Sequence, residues 1–285
     1  MSVEVDGAYA GRKVADRIAT ALSGLAVFIA LVPLVAILVY IVQRGLGALS
    51  FSFLTQLPRP VGETGGGMAN AVVGTLELIG LASVMSIPIG IAAGLFLAEY
   101  RTTVLARVVR FSADVLAGVP SILVGVVVYA TIVVRMKHFS TFAGSTALAV
   151  LMLPLVARTT DELARTVPES LREAALALGA SRWRIAIHVV LRTAAPGIRA
   201  GCMLAVARVS GETAPLLFTA FNNRFWNESL SDPTSSLQVQ IFTYTMSPYD
   251  DWHAQAWAAA LVLVAIVIVL NLAARRLLRT PPGSA

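Results

Sequence analysis

Within the stretch CMLAVARVSGETAPLLFTAF, residues 202–221, two side chains carry charge among apolar neighbours: Arg208 and Glu212. An arginine at the centre of a bilayer costs roughly 2.5–3.5 kcal/mol on insertion scales. A guanidinium keeps its charge, and its planar fork of donors fits a tetrahedral oxyanion. Residues four apart share a helix face, so the spacing predicts that the two pair on one membrane helix. Gly211 and Pro215 flank them and loosen that helix. The chemistry that suits such a pair is passage of an anion. The site must be positive enough to admit the ion, and a nearby carboxylate makes it weak enough to release it. The other reading is an ion pair that only locks helices together. Ionisable groups inside spans favour the first.

The elements that must hold this pair are membrane helices. Of 285 residues, 57% are hydrophobic and 13% charged, and the mean hydropathy is +0.77. A soluble domain of this size needs more charge to cover its surface. Six apolar runs suit a hydrocarbon core about 30 Å thick: Ile18–Val42, Ala71–Ala98, Val115–Val134, Ala143–Val156, Gly197–Phe221 and Ala254–Ala274. Interiors this apolar predict helices rather than a barrel's alternating strands. The fold class is therefore all-α, a polytopic membrane protein of six transmembrane helices. Residues 1–17 form a loosely ordered tail, 18–276 the membrane domain and 277–285 a second tail. The first run is too long for a signal-peptide core and has no cleavage site after it, so it reads as a retained helix.

The net charge of +6 does not point to nucleic acid, because the basic residues flank the spans. With both termini inside, fifteen of the 22 Lys and Arg fall on inside segments and five on outside ones; Arg199 and Arg208 lie within the fifth span. The positive-inside rule then puts both termini in the cytoplasm. The single cysteine, Cys202, excludes an internal disulfide. His138, His188 and His253 have no metal-ligand spacing. The glycines of LPRPVGETGGGMAN lack the G-K-[ST] ending of a phosphate loop and read as a flexible turn. In the last outside loop, 222–253, Ser235 and Ser236 are cap candidates for a short helix carrying Leu237, Ile241 and Tyr244 near the outer interface.

The longest inside segment, about 157–196, contains PESLREAALALGASRWRIAIHVVLR. Pro168 and Glu169 suit a helix start, Gly179 suits its end, and Ser181 can cap a second helix leading into the fifth span. The result is a helix–turn–helix knob with an apolar face outside the membrane, which points to a protein partner. Glu173-Ala174-Ala175, then Gly179, then Val189-Val190-Leu191 resembles the coupling loop of bacterial ABC importer permeases. Arg192 stands where that pattern usually has proline. The resemblance implies that Glu173, Ala174, Ala175 and Gly179 dock on a separate ATPase, which binds the ATP and Mg; the present chain has no Walker motif and binds no cofactor.

GETAPLLFTA (211–220), AGVPSILVG (117–125), NAVVGTL (70–76) and LAEY (97–100) narrow the match. Over nearly its whole length the chain resembles the PstA-type permeases of the phosphate importer. That resemblance implies a heterodimer with a second, related permease, a homodimeric ATP-binding subunit and an extracytoplasmic phosphate-binding protein. The cargo it implies is inorganic phosphate. Counting at about 1.5 Å per residue from Gly197 puts Arg208 roughly 17 Å above the inner face. Glu77 lies about 9 Å below the outer face, so geometry alone makes it a second candidate partner for Arg208. Two other functions are open: a permease for another oxyanion such as sulfate or molybdate, and a proton-coupled secondary anion carrier. The inside loop and the lack of an obvious internal repeat argue against the second.

Overall fold

A computed structural model of the chain describes residues 3–277, and those residues are predominantly helical. Helix α1 runs unbroken over Val3–Ala48. The described part of the 1–17 tail is therefore helix: AYAGRKVADRIA holds good helix formers and no proline. Residues 278–285, nearly all of the second expected tail, lie outside the described residues. After a short helix α2 (Phe51–Thr55) comes α3 (Ala69–Glu99). Then follow α4 (Val104–Gly118) and α5 (Ser121–Met136), whose axes differ by 105°. The expected span Val115–Val134 is thus an elbow, not one straight helix. Pro120 donates no hydrogen bond and holds Val119 in an extended conformation, which ends α4.

Helix α6 (Thr141–Arg165) is longer than the apolar run Ala143–Val156. Its last turns carry Arg158–Glu162 and Asp161–Arg165 ion pairs at helical spacing, which let the helix continue past the apolar residues. Helix α7 (Glu169–Ala177) is the expected knob, and α8 (Arg182–Val209) follows it, with a π-helical turn at Ile185–Val190. The expected span Gly197–Phe221 is displaced. It begins at Arg182 and stops at Val209; a single turn, α9 (Ala214–Leu217), follows the break. Ser210 turns its hydroxyl back to the Val206 carbonyl, Gly211 has no side chain to pack, and Pro215 re-nucleates helix only at the start of α9. Helices α10 (Leu237–Thr245) and α11 (Asp250–Leu277) complete the order. Among the described residues, five helices are long and apolar enough to cross a membrane, and the α4–α5 pair brings the number to six.

The core is the α3–α6 pair, with α8 against α6. Small residues allow the approach. A Cβ on Gly94 would meet Thr160 and the Ala157 carbonyl, and one on Gly201 would meet Thr159. Gly197 faces Leu163 and Gly201 faces Thr159, so α6 and α8 run antiparallel, residue for residue. Extending that register brings Arg208 level with about Met152, close to the middle of α6. Leu148, Met152, Val156, Ala205 and Val209 pack there in one buried cluster.

At the end of the bundle that carries α10, this helix packs into the protein and does not lie on its surface. Leu237–Gln240 and Tyr244 are buried, and Tyr244 stacks on Trp252 with centroids 4.3 Å apart. Burial pushes the Tyr244 phenol above its ordinary range. Helix α10 thus closes the bundle. At the opposite end, α7 is fastened by Arg172, which is 6% exposed. Its guanidinium donates to Glu99 at the end of α3 and, at 2.8 Å, to the Ala164 carbonyl. Breaking a buried ion pair from one side costs about 3–5 kcal/mol. We therefore expect Arg172→Ala to release α7 without dissolving the membrane bundle. Limited proteolysis of the purified protein should cleave residues 166–181 several-fold faster, while the fragments still migrate together in detergent.

Candidate functional site

Two interrupted helices, the α4–α5 elbow and α8, meet the continuous α6 around one cavity of about 460 Å³. The elbow contributes Asp114, Ala117, Val119, Pro120 and Ser121; α6 contributes Leu151, Pro154, Leu155 and Arg158; the end of α8 and the turn after it contribute Arg208 and Glu212. Gly125 of α5 allows this meeting, because a Cβ there would fall 2.6 Å from Pro215 Cα. The AGVPSILVG and GETAPLLFTA stretches are therefore neighbours. The first turn of α5 starts at the cavity wall with no side-chain cap, so the partial positive charge of its N-terminus faces the same space.

The break after Val209 exposes backbone groups that an apolar slab cannot satisfy. The Gly211 and Glu212 N–H groups bond to the Arg208 and Val209 carbonyls at 3.3 and 3.1 Å. The Ser210 carbonyl accepts Gln238 Nε2 at 2.5 Å, and the Pro215 carbonyl accepts Thr219 Oγ1 at 2.8 Å. Helix α10 is thus the splint that makes the interruption tolerable.

Arg208 and Glu212 line the same cavity but do not form the expected i,i+4 pair: helical geometry ends between them, at Val209. Neither makes an ion pair with another described residue. Arg208 is exposed in the isolated chain and Glu212 half-buried. Glu77 is elsewhere. Its Oε2 accepts Asn227 Nδ2 at 3.1 Å, and the same amide reaches Thr141 and Thr234, tying the 222–236 loop to α3 and α6. The structure does not bring Glu77 to Arg208.

The residues expected to dock an ATPase, Glu173, Ala174, Ala175 and Gly179, lie together at the other end. Gly179 takes φ +80°, a left-handed conformation that ends α7, with the Ala180 N–H returning to the Ala175 carbonyl. Glu173 and Ala174 are exposed and Ala175 is half-buried. Leu176 and Leu178 are also exposed, the latter by 89%, so the apolar face is real.

Two charged positions escaped the sequence reading as site residues: Asp114 and Arg158. Cutting the fourth span at Val156 assigned Arg158 to a loop. The signal that it belongs to the helix is the i,i+4 pattern of Arg158–Glu162 and Asp161–Arg165. Gln238 and Arg172 are set by tertiary contacts, and no local pattern marks them.

Residues 86–280 match the family of binding-protein-dependent transport system inner membrane components. The phosphate transport system permease protein PstA of Yersinia pestis is 45% identical over 267 residues, covering 93% of this chain and 90% of that one. PstA of Xylella fastidiosa is 42% identical over 280 residues, covering 98% and 97%. Among solved structures, a chain of the bacterial alginate ABC transporter superposes with a TM-score of 0.68 at 14% identity, covering 93% of this chain and 94% of that one. A chain of the MetNI methionine ABC transporter gives 0.63 at 21%, covering 74% and 94%. These two likenesses concern the fold. With the family match and full-length relatives above 40% identity, the chain belongs to the binding-protein-dependent transport permeases and, among them, to the PstA family.

Proposed function

We propose that this chain is the membrane permease subunit of an ATP-driven importer of inorganic phosphate. The observation that carries the reading is Arg208, unpaired among the described residues, facing a cavity at the mid-level of the bundle. A cation there needs a reason, and a transiting anion supplies one. Phosphate would meet the guanidinium fork and the first turn of α5. Glu212, lining the same cavity, keeps the site weak enough to empty.

ATP and Mg²⁺ belong to a separate ATPase, with α7 as the docking knob on the cytoplasmic side. The exposed Leu176 and Leu178 and the distribution of Lys and Arg support that orientation, with both termini in the cytoplasm. The remaining partners in this reading are a second permease, which completes the path, a homodimer of the ATPase, and an extracytoplasmic phosphate-binding protein. The relatives named for phosphate transport favour phosphate over sulfate or molybdate.

The test is phosphate uptake by the reconstituted complex in proteoliposomes. Uptake should require ATP hydrolysis, persist when the proton gradient is collapsed, and resist a large excess of sulfate or molybdate. Uptake driven by a proton gradient without ATP would replace this reading with a secondary carrier. Faster sulfate or molybdate uptake would change the cargo.

The docking role has its own test. Gly179→Val forces a β-branched residue into a left-handed conformation, at a cost of about 1–3 kcal/mol. It should reduce recovery of the ATPase with the affinity-tagged permease by about tenfold, while the second permease is still recovered. Full recovery of the ATPase would remove α7 as the docking element.

A further inference from the structure

A second, smaller cavity of about 200 Å³ adjoins the first and shares Ala113, Asp114 and Arg158 with it. Its other walls are Leu97, Arg110, Asp161, Glu162 and Arg165. The two cavities together lead from Arg208 towards the end of the bundle that carries α7. By the α6–α8 register, Arg158 lies about six residues, or roughly 9 Å, nearer that end than Arg208.

The two arginines are held differently. Arg208 has no carboxylate within ion-pair distance among the described residues. Arg158 has two: Glu162 at 3.0 Å on its own helix and Asp114 at 3.8 Å across on α4. Its side chain is 63% exposed, so these contacts are solvated and individually weak. The neighbouring Asp161 is bound on both sides, by Arg165 at 2.8 Å and Arg110 at 3.2 Å, and is 6% exposed. That cluster is structural. Arg158 stands between a fixed cluster and an open cavity, with partners it can exchange.

We propose that Arg158 is a second anion station, taking the ion from Arg208 and releasing it towards the α7 end, with Asp114 and Glu162 as the carboxylates that displace it. The inference rests on the reading of the large cavity as an anion path. A single deep well would hold the ion; two shallow wells staggered by roughly 9 Å along the bundle, the second with competing carboxylates in contact, let it move on. Asp114 has a further consequence. It lies on α4, one turn before the elbow, so any motion of α4 against α6 changes the 3.8 Å contact and hence the depth of the second well.

The experiment uses a reporter cysteine at Ala117, on the cavity wall, in a Cys202→Ser chain assembled in the full complex. Its reaction rates with an anionic and a cationic thiosulfonate of similar size are compared. Arg158→Gln should lower the anionic-to-cationic rate ratio by about five- to tenfold, Asp114→Asn should raise it, and Arg158→Lys should leave it near the unsubstituted value. Phosphate uptake per assembled native complex should fall at least tenfold in Arg158→Gln. It should recover only in part in Arg158→Lys, which keeps the charge and loses the fork. A purely structural arginine would move uptake through assembly and leave the rate ratio alone. An unchanged ratio, or unchanged uptake, in Arg158→Gln overturns the proposal. The ratio does not depend on cargo, so a complex that carries another oxyanion would refute phosphate as substrate and still decide the role of Arg158.

Discussion

A helix interrupted inside an apolar slab must find partners for the backbone groups it frees, and the architecture around residues 210–213 meets that requirement. Gln238 accounts for the Ser210 carbonyl, Thr219 for that of Pro215, and the turn itself for the Gly211 and Glu212 N–H groups. Because Gln238 must reach Ser210, α10 has to enter the bundle rather than lie on its surface. Because α10 enters, the 222–236 loop must fold over the bundle end, where Asn227 joins it to Glu77, Thr141 and Thr234. The interruption in turn frees Arg208 from a helical partner and points the chain towards the α4–α5 elbow. A cavity with two arginines near the centre of a membrane bundle is the product.

Helix α8 connects this cavity to the knob. Arg182 follows α7 within a few residues, and Val209 ends at the cavity, so one helix about 42 Å long spans the distance. At the knob, Arg172 fixes α7 to α3 through Glu99 and to α6 through the Ala164 carbonyl. A load on α7 therefore reaches both sides of the bundle: through α8 to the Arg208 site, and through the α3–α6 pair to Arg158. This is the physical content of coupling in the proposed importer. A packed helix transmits displacement because close-packed interiors compress little.

Much of the fold could be read from apolar runs, since a run of suitable length in a membrane has few alternatives to a helix. The bounds of the knob were legible, because Pro168 and Gly179 are local signals with local causes; Ser181 does stand at the start of α8, but its hydroxyl makes no cap bond there. The elbow and the break in α8 were not. Their prolines and glycine are visible in the sequence, but helices in membranes tolerate such residues where neighbours re-satisfy the backbone, and only the tertiary partners decide. The expected Arg208–Glu212 pair failed for that reason: the spacing was right and the helix was absent. The depth expected for Arg208 was counted from Gly197, whereas the helix starts at Arg182; its level in the bundle follows instead from the α6–α8 register, which sets it beside about Met152. The quoted motifs mark joints: LAEY meets α7 through Glu99, NAVVGTL meets the 222–236 loop through Asn70 and Gly74, and AGVPSILVG meets GETAPLLFTA at Gly125 and Pro215. Which stretches meet could not be told from their order along the chain.

The central claim is that Arg208 is a charge the anion needs, not one the fold needs. The most direct measurement is phosphate accumulated per ATP hydrolysed by the Arg208→Ala complex in proteoliposomes. Removing a guanidinium lowers the cost of insertion, so the account predicts full assembly and continued ATP hydrolysis. Phosphate accumulation should nevertheless be at least a hundredfold below that of the unsubstituted complex. Accumulation at the unsubstituted level, or failure only because the complex does not assemble, would contradict it.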